Sequence, residues 1–175
     1  MNFSSDVILK GSNWRVASDK LTAFFNSQPN YEMYYLAISI GIIFDKQMDS
    51  AGEEDEELGN LYVPRSVLFG HNTDLDFMFQ TAILTSKLVD FSDKDRMKLA
   101  FDNDTDIQFN KIEFLTKFAN FGISKLIEKL SDVEIETMDN LRQFVTSSIE
   151  GHNYELEKNT EEDLNEIFSD FDFLE

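Results

Sequence analysis

Apolar residues recur along most of the chain at the three- and four-residue spacing of an amphipathic helix. This pattern predicts six helices in the first 150 residues, and only two prolines and seven glycines interrupt the chain. A shorter apolar run at 7–9 is compatible with a strand, and an ordered segment resumes at 61–64 after a polar stretch. The predicted helices cover residues 16–27, 30–43, 72–88, 92–101, 110–130 and 134–149.

One of these helices is expected to lie at the centre of the fold. The stretch from Asn30 to Ile43 is apolar on every face. Asn30 is a suitable N-cap for it, and Asn110 with Glu113 forms a capping box before the longest helix. The last helix carries one apolar stripe, at Met138, Leu141, Val145 and Ile149. The predicted fold is mainly α, a single helical domain of five or six helices.

The net charge of −19 is concentrated in two segments. Residues 45–57 contain seven acidic residues and one lysine, and residues 150–175 contain ten acidic residues and one lysine. The rest of the chain is nearly balanced. Because closely spaced like charges repel and bury nothing, we expect a disordered acidic loop at 45–60. The expected organisation is a helical domain at 1–150 followed by an acidic tail at 151–175.

The acidic tail combines its charge with an apolar face. Its apolar residues fall at i, i+3, i+4 and i+7 behind a capping pattern at Thr160 and Asp163. Such a helix either docks in a basic or apolar groove of a partner protein or folds back onto its own domain, since both modes bury the same stripe. The predicted partner-binding residues are Leu164, Ile167, Phe168, Phe171 and Phe173.

A cluster of acids before the longest helix has the spacing of a calcium-binding EF-hand loop. Its members are Asp102, Asp104, Asp106 and Glu113. The position that needs a glycine for the sharp turn is Ile107, whose β-branched side chain resists positive φ. Two interpretations stay open, a metal site at these four acids or a solvated turn in which Glu113 caps the helix, and the missing glycine favours the second.

The residue types that catalysis most often uses are sparse. The chain has no cysteine, which removes thiolate chemistry and cysteine-bound zinc. Its two histidines, His71 and His152, lack the spacing of a zinc-binding pair, and no glycine-flanked serine or phosphate-binding glycine loop occurs. We therefore expect a protein that is not an enzyme and uses no cofactor. The acidic balance also disfavours direct binding to nucleic acid, which relies on clustered lysine and arginine.

Membrane attachment is not expected either. The most apolar run, at 34–44, is shorter than the roughly 20 residues that span a bilayer. The first residues lack the charged and then apolar pattern of a signal peptide. These features favour a soluble protein of the cytoplasm.

Three short motifs resemble those of a known group of proteins. They are Tyr31-x-x-Tyr34-Tyr35-Leu36-Ala37-x-x-x-Gly41, Val63-Pro64-Arg65 and Phe118-Ala119-Asn120-Phe121-Gly122. With the order of elements over residues 31–149, they resemble the small accessory proteins of DNA phosphorothioation-dependent restriction systems. The resemblance implies an accessory role in a larger complex of bacterial antiphage defence. The acidic loop and tail depart from the pattern, and no catalytic residues carry over to this chain.

The expected function is that of an accessory or adaptor subunit, which binds a partner protein through the acidic tail. Two alternatives stay open. An acidic inhibitor or nucleic-acid mimic would occupy a basic groove on another protein, with a steep dependence on salt. A cation-binding regulator would use the acids between 102 and 113, and its melting temperature would rise with calcium.

Overall fold

The computed structural model describes residues 1, 3–25, 28–53, 60–102 and 106–149. Within these residues, seven α-helices and a two-stranded ribbon surround one core, which confirms the mainly α prediction. The number of helices exceeds the predicted five or six because a short helix, α3, precedes α4. The elements are β1 (Val7–Leu9), α1 (Ser12–Leu21), α2 (Pro29–Phe44), β2 (Leu61–Val63), α3 (Arg65–Gly70), α4 (Asn72–Thr85), α5 (Asp93–Phe101), α6 (Lys111–Ile127) and α7 (Glu134–Ile149), with a 3₁₀ turn at Thr22–Phe24.

The centre of the fold is a close crossing of α2 and α6. Gly41 lies against the backbone carbonyl of Phe118, and Gly122 lies against that of Ala37, so a methyl group at either glycine would overlap a carbonyl oxygen. Backbones approach this closely only where a residue without a side chain leaves the space between them. The prediction that α2 is the central helix is confirmed.

The first part of the predicted acidic loop is built into the body. Ala51 is fully buried, and its carbonyl accepts a hydrogen bond from the amide of Asn13 at 3.0 Å. The carbonyl of Glu53 accepts one from the amide of Ser12 at 2.9 Å. The loop thus supplies acceptors for amides that the first turn of a helix leaves unpaired, and α1 begins four residues earlier than predicted. The prediction of a disordered loop is wrong for its residues up to Glu53, and residues 54–59 lie outside the described part of the chain.

The start of α2 differs from the prediction. Pro29 occupies a first-turn position, where its missing N–H costs nothing because that amide has no partner within the helix. Asn30 is not the cap, since its side-chain amide donates to the carbonyl of Tyr62 at 2.9 Å. This bond joins α2 to β2, which pairs antiparallel with β1 so that Val7 lies opposite Val63. A strand therefore forms near the N-terminus, where the sequence left the choice open.

Asn110 caps α6 as predicted, although the Glu113 carboxylate bonds the side-chain amide of Asn110 and not its backbone N–H. The side chain of Asn110 accepts a hydrogen bond from the backbone N–H of Glu113 and donates to its carboxylate, both at 3.1 Å. Behind this turn, phenylalanine rings with centres 5.1 to 6.0 Å apart join α4 to α6. These rings belong to Phe79, Phe109, Phe114 and Phe118. Tilted and edge-on contacts of this kind add to the stability that burial of the rings provides.

α7 packs against the body through a different face from the one predicted. Of the predicted stripe, Leu141 packs against the core, whereas Met138 and Val145 are exposed. The buried aromatic residue is Phe144, whose ring stacks on Phe44 with 6.3 Å between ring centres. Because α7 has apolar residues on two sides, its spacing alone does not decide which side is buried, and the packing of Phe144 does.

Candidate interaction surface

The five residues of the tail that the sequence predicts to bind a partner lie outside the described part of the chain. They are Leu164, Ile167, Phe168, Phe171 and Phe173. The described residues bear on partner binding through the surfaces that the body exposes. The search for a site therefore turns to apolar and charged side chains that the fold leaves uncovered.

The acids of the predicted metal cluster have separate surroundings. Asp104 lies outside the described residues, and Asp102 ends α5. The carboxylate of Asp106 lies 3.9 Å from the ammonium of Lys98, while Glu113 takes part in the cap of α6. Within the described ranges, no three His, Cys, Asp or Glu side chains gather closely enough to hold a metal ion.

α5 begins at a well-formed cap. The hydroxyl oxygen of Ser92 accepts a hydrogen bond from the backbone N–H of Asp95 at 3.2 Å. Asp93 and Asp95 in the first turn suit the positive end of the helix dipole. Leu99 and Ala100 are buried against the body, so one side of this short helix is anchored.

A single arginine fastens α5 to the end of α4. The guanidinium of Arg96 donates to four backbone carbonyls at 2.6 to 3.2 Å. The acceptors are Ile83, Ser86, Val89 and Phe91. Several of these carbonyls belong to the last turn of α4 and its exit, where carbonyls have no helical partner, so the arginine satisfies them. The side-chain amide of Gln80 also donates a hydrogen bond to the carbonyl of Ala100 at 3.2 Å. Together, these hydrogen bonds hold α5 in a defined position.

The outer face of α5 combines two large apolar side chains with two lysines. Met97 is 53% exposed and Phe101 is 58% exposed, whereas Leu99 and Ala100 of the same helix are buried. Lys94 and Lys98 lie one turn apart on the same side. Together with Asp102, these residues line an open cleft of about 580 Å³. We define Lys94, Met97, Lys98 and Phe101 as the α5 surface.

Met97 and Phe101 share the predicted helix 92–101 with Leu99 and Ala100, and the structure buries only the latter pair. A nine-residue helix with apolar residues on several sides does not show which side faces the core. The available signal was the second repeat, since Lys94 and Lys98 share the four-residue spacing of Met97 and Phe101. A face that carries two lysines is expected to meet water or an acidic partner.

α7 exposes a second apolar stripe, of different charge. Ile135 is 71% exposed and Met138 is 49% exposed, and Val145 continues the stripe at seven residues from Met138. The charged residues of this helix are Glu134, Glu136, Asp139 and Arg142. These residues give α7 a net charge of −2, and Lys129 lies beside the helix with its ammonium 5.6 Å from the centre of the Phe144 ring.

A polar cleft of about 390 Å³ lies between the N-terminal arm and α6. The ammonium of Lys117 donates to the carboxylate of Asp49 at 2.9 Å, and this hydrogen bond raises the pKa of Lys117. The side chain of Asn120 accepts a hydrogen bond from the indole of Trp14 at 3.0 Å. Its amide donates to the carbonyls of Met48 at 3.2 Å and of Asp49 at 2.9 Å. These groups satisfy one another, so this network joins α1, the loop and α6.

His71 lies at the junction of α3 and α4. Its ring stacks on Tyr31 with centres 4.1 Å apart, Nδ1 lies 3.3 Å from the Asp74 carboxylate, and Nε2 lies 3.2 Å from the Gln28 amide oxygen. Burial, with a smaller contribution from Asp74, raises the pKa of Tyr31 above its ordinary value. The phenol therefore stays neutral at physiological pH, and the stack ties α2 to the start of α4.

No protein-family model, curated protein or solved structure matches this chain. The motifs that resemble phosphorothioation-linked accessory proteins include Ala37, Gly41, Phe118 and Gly122, the four residues of the α2–α6 crossing. They thus have a structural role in helix packing. Among the helices described above, none has both the length and the apolar character that a membrane span requires.

Proposed function

We propose that this chain is a non-enzymatic adaptor subunit that binds a partner protein within a multiprotein complex. The observation that supports the proposal is the α5 surface, where Met97 and Phe101 are exposed beside Lys94 and Lys98. Apolar side chains exposed together favour association, because contact with another chain removes their area from water. The hydrogen bonds of Arg96 hold α5 in place, so binding requires little ordering of the helix.

The chemistry of the α5 surface favours an acidic, amphipathic segment as its ligand. Met97 and Phe101 offer apolar area to a stripe of large side chains, while Lys94 and Lys98 attract carboxylates along the rim. The acidic tail is a second proposed binding element, because its own stripe fits an apolar or basic groove on a partner. The setting in bacterial antiphage defence is proposed from the motif resemblance alone.

The test compares two exposed phenylalanines. Phe101 belongs to the α5 surface, whereas Phe69 on α3 is 71% exposed and lies outside it. Tagged full-length protein, Phe101→Ser and Phe69→Ser are used to capture proteins from the native host, and retained proteins are identified by mass spectrometry. Since both residues are exposed, both variants should keep the melting temperature of the parent.

Loss of a defined set of proteins from the Phe101→Ser sample, with retention by Phe69→Ser, is the expected result. A tail variant, Phe168→Asp, reports separately on the second binding element. Equal retention of the same proteins by all three variants would contradict binding through either element.

A further inference from the structure

We propose that the acidic tail of the chain docks onto the α5 surface of the same molecule and covers it until a partner protein displaces it. The contact itself is inferred from the α5 surface and from the composition of the tail. Its role as a cover that a partner removes rests on the proposed function. The two parts are separable, because the contact is measurable without any partner.

Charge is the first argument for this occupant. Residues 151–175 contain nine acidic residues and one lysine. On the α5 surface, Lys94 forms no ion pair with any described residue, and Lys98 lies 3.9 Å from Asp106, the limit of such a pair. Asp102 lines the same cleft, so its charged residues Lys94, Lys98 and Asp102 have one net positive charge, which attracts carboxylates of the tail. Opposite charges at the rim steer and orient a docking helix, while its apolar contacts hold it.

Shape and spacing provide the second argument. Leu164, Ile167 and Phe168 have the spacing of one turn of the predicted helix, and Phe171 has that of a fourth apolar position on the same stripe. A stripe of this kind recognises apolar area on a flat or shallow surface through anchors at i, i+3, i+4 and i+7. The open cleft at Met97 and Phe101 offers such area on a rigid helix.

The α7 stripe is the competing site, and its charge disfavours the tail. Three acids and one arginine accompany Ile135, Met138 and Val145 on α7. A tail with a large excess of carboxylates is repelled there, since like charges at an interface oppose association. Of these two surfaces, the α5 surface has the better charge match to the tail, because two lysines and one aspartate line its cleft.

The length of the tail allows docking within one molecule. Phe168 lies 19 residues beyond the end of α7, a span of up to about 60 Å when extended. A domain of this size has a radius of gyration of about 15 Å, so the tail reaches any face of the body. A short tether also gives an effective concentration on the order of 1 mM, which favours the same molecule over a second copy.

Two methionines act as internal reporters of where the tail lies. Met97 is 53% exposed on the α5 surface, and Met138 is 49% exposed on the α7 stripe, so the two differ little in exposure on the body. Full-length protein is oxidised with dilute hydrogen peroxide, and the rate at each methionine is followed by mass spectrometry. A cover that is in place for more than about two-thirds of the time slows oxidation about threefold or more.

The variant that should release the tail is Phe168→Asp, which places a charge in the apolar stripe. The matched control is Ser169→Asp, which adds the same charge on the polar side of the same predicted helix. We expect Met97 to react about threefold more slowly than Met138 in the parent and in Ser169→Asp. In Phe168→Asp, the rate at Met97 should rise to that of Met138.

Other rates would overturn the proposal. Slow oxidation of Met138 with fast oxidation of Met97 would place the tail on α7. Equal rates in all three proteins would show that the tail covers neither stripe. Because circular dichroism is recorded for each protein, a general unfolding of Phe168→Asp would appear as fast oxidation of both methionines together with lost helicity, and Leu164→Asp then serves as the second release variant.

A carbodiimide, which links amines to neighbouring carboxylates, tests the contact directly. Lys94 and Lys98 should form cross-links to acids of the tail, whereas Lys10, an exposed lysine beside β1, should not. In a mixture of ¹⁴N and ¹⁵N protein, the products should carry one isotope only, and mixed products would assign the contact to two molecules and overturn docking in cis. If Lys94 forms cross-links to the tail while Phe101→Ser retains the same partner proteins, the contact between tail and body is supported. That result would contradict only the proposed function.

Discussion

The α2–α6 crossing and the α5 surface use apolar side chains in opposite ways. At the crossing, Gly41 and Gly122 bring the two backbones together, and the neighbouring Tyr34 is fully buried with its hydroxyl 3.0 Å from that of Thr116. On α5, two large apolar side chains stay in water although the helix is well anchored. Four of the motif residues, Ala37, Gly41, Phe118 and Gly122, lie at the crossing, and the proposed binding residues do not. Short motifs in this chain therefore report how it folds, and the exposed side chains indicate what it binds.

The largest expected effect is a loss of stability when a side chain is added between α2 and α6 at their crossing. Gly122→Ala should destabilise the protein by about 3 kcal/mol or more, because the methyl group overlaps the carbonyl of Ala37 and forces the helices apart. This loss would exceed the gain of about 1 kcal/mol that alanine has over glycine inside a helix. The measurement is urea unfolding followed by circular dichroism.

The matched control for this substitution is Gly70→Ala. A methyl group at Gly70 meets no other atom within 4 Å, so its stability should stay the same or rise slightly. If Gly122→Ala were as stable as Gly70→Ala, the two central helices would not pack backbone to backbone, and the contrast with the α5 surface would fail.

The next effect concerns the anchoring of the α5 surface. Arg96→Lys should cost about 2 kcal/mol, since an ammonium cannot reach all four carbonyls that the guanidinium joins, and buried carbonyls without partners are unfavourable. Hydrogen exchange should rise locally at the end of α4 and in α5. The same change at the exposed Arg142 on α7 serves as the control and should leave both stability and exchange unchanged. Uniform faster exchange across the whole protein would instead place Arg96 in the global core.

The smallest expected effect is a loss of stability at alkaline pH. Burial raises the pKa of Tyr34 in the folded protein above its ordinary value of 10.0, so the unfolded chain loses this proton first. Stability from the neutral phenol is complete below pH 10 and falls as the pH rises beyond it. Tyr34→Phe should lower stability at pH 7 by about 1 kcal/mol through loss of the bond to Thr116, and should flatten the decline above pH 10.

This prediction is checked by urea unfolding at several pH values between 7 and 11. Tyr62 lies on β2 and is exposed, so Tyr62→Phe is the control and should leave the alkaline decline as steep as in the parent. A decline of the same steepness in Tyr34→Phe would assign the alkaline sensitivity to other groups.

Several elements were predictable because their signals are local. The cap at Asn110 forms as the spacing indicates, and α4, α5 and α6 begin within one or two residues of their predicted starts. Local patterns do not predict a helix end when a distant part of the chain supplies its hydrogen-bond acceptors. α1 starts early because carbonyls about 40 residues away accept its first amide protons, and no pattern near Ser12 reports those acceptors.

Of the two proposed binding elements, the sequence predicted the tail and did not predict the α5 surface. The apolar stripe and charge of the tail are properties of consecutive residues, so the sequence predicts them without a fold. The exposure of Met97 and Phe101 depends instead on which side of α5 faces α4. The four hydrogen bonds of Arg96 determine that side.

Residue spacing, which acts over one or two turns, was enough to establish a mainly α domain with a central apolar helix and two acidic segments. Contacts between distant parts of the chain settled the rest: the burial of Ala51 within the acidic loop, the choice of Phe144 over Met138 as the inward side of α7, and the exposure of the α5 surface. The physical reason is that helix formation depends on neighbours a few residues apart, whereas burial depends on the shape and hydrogen-bonding groups of whatever packs against the helix.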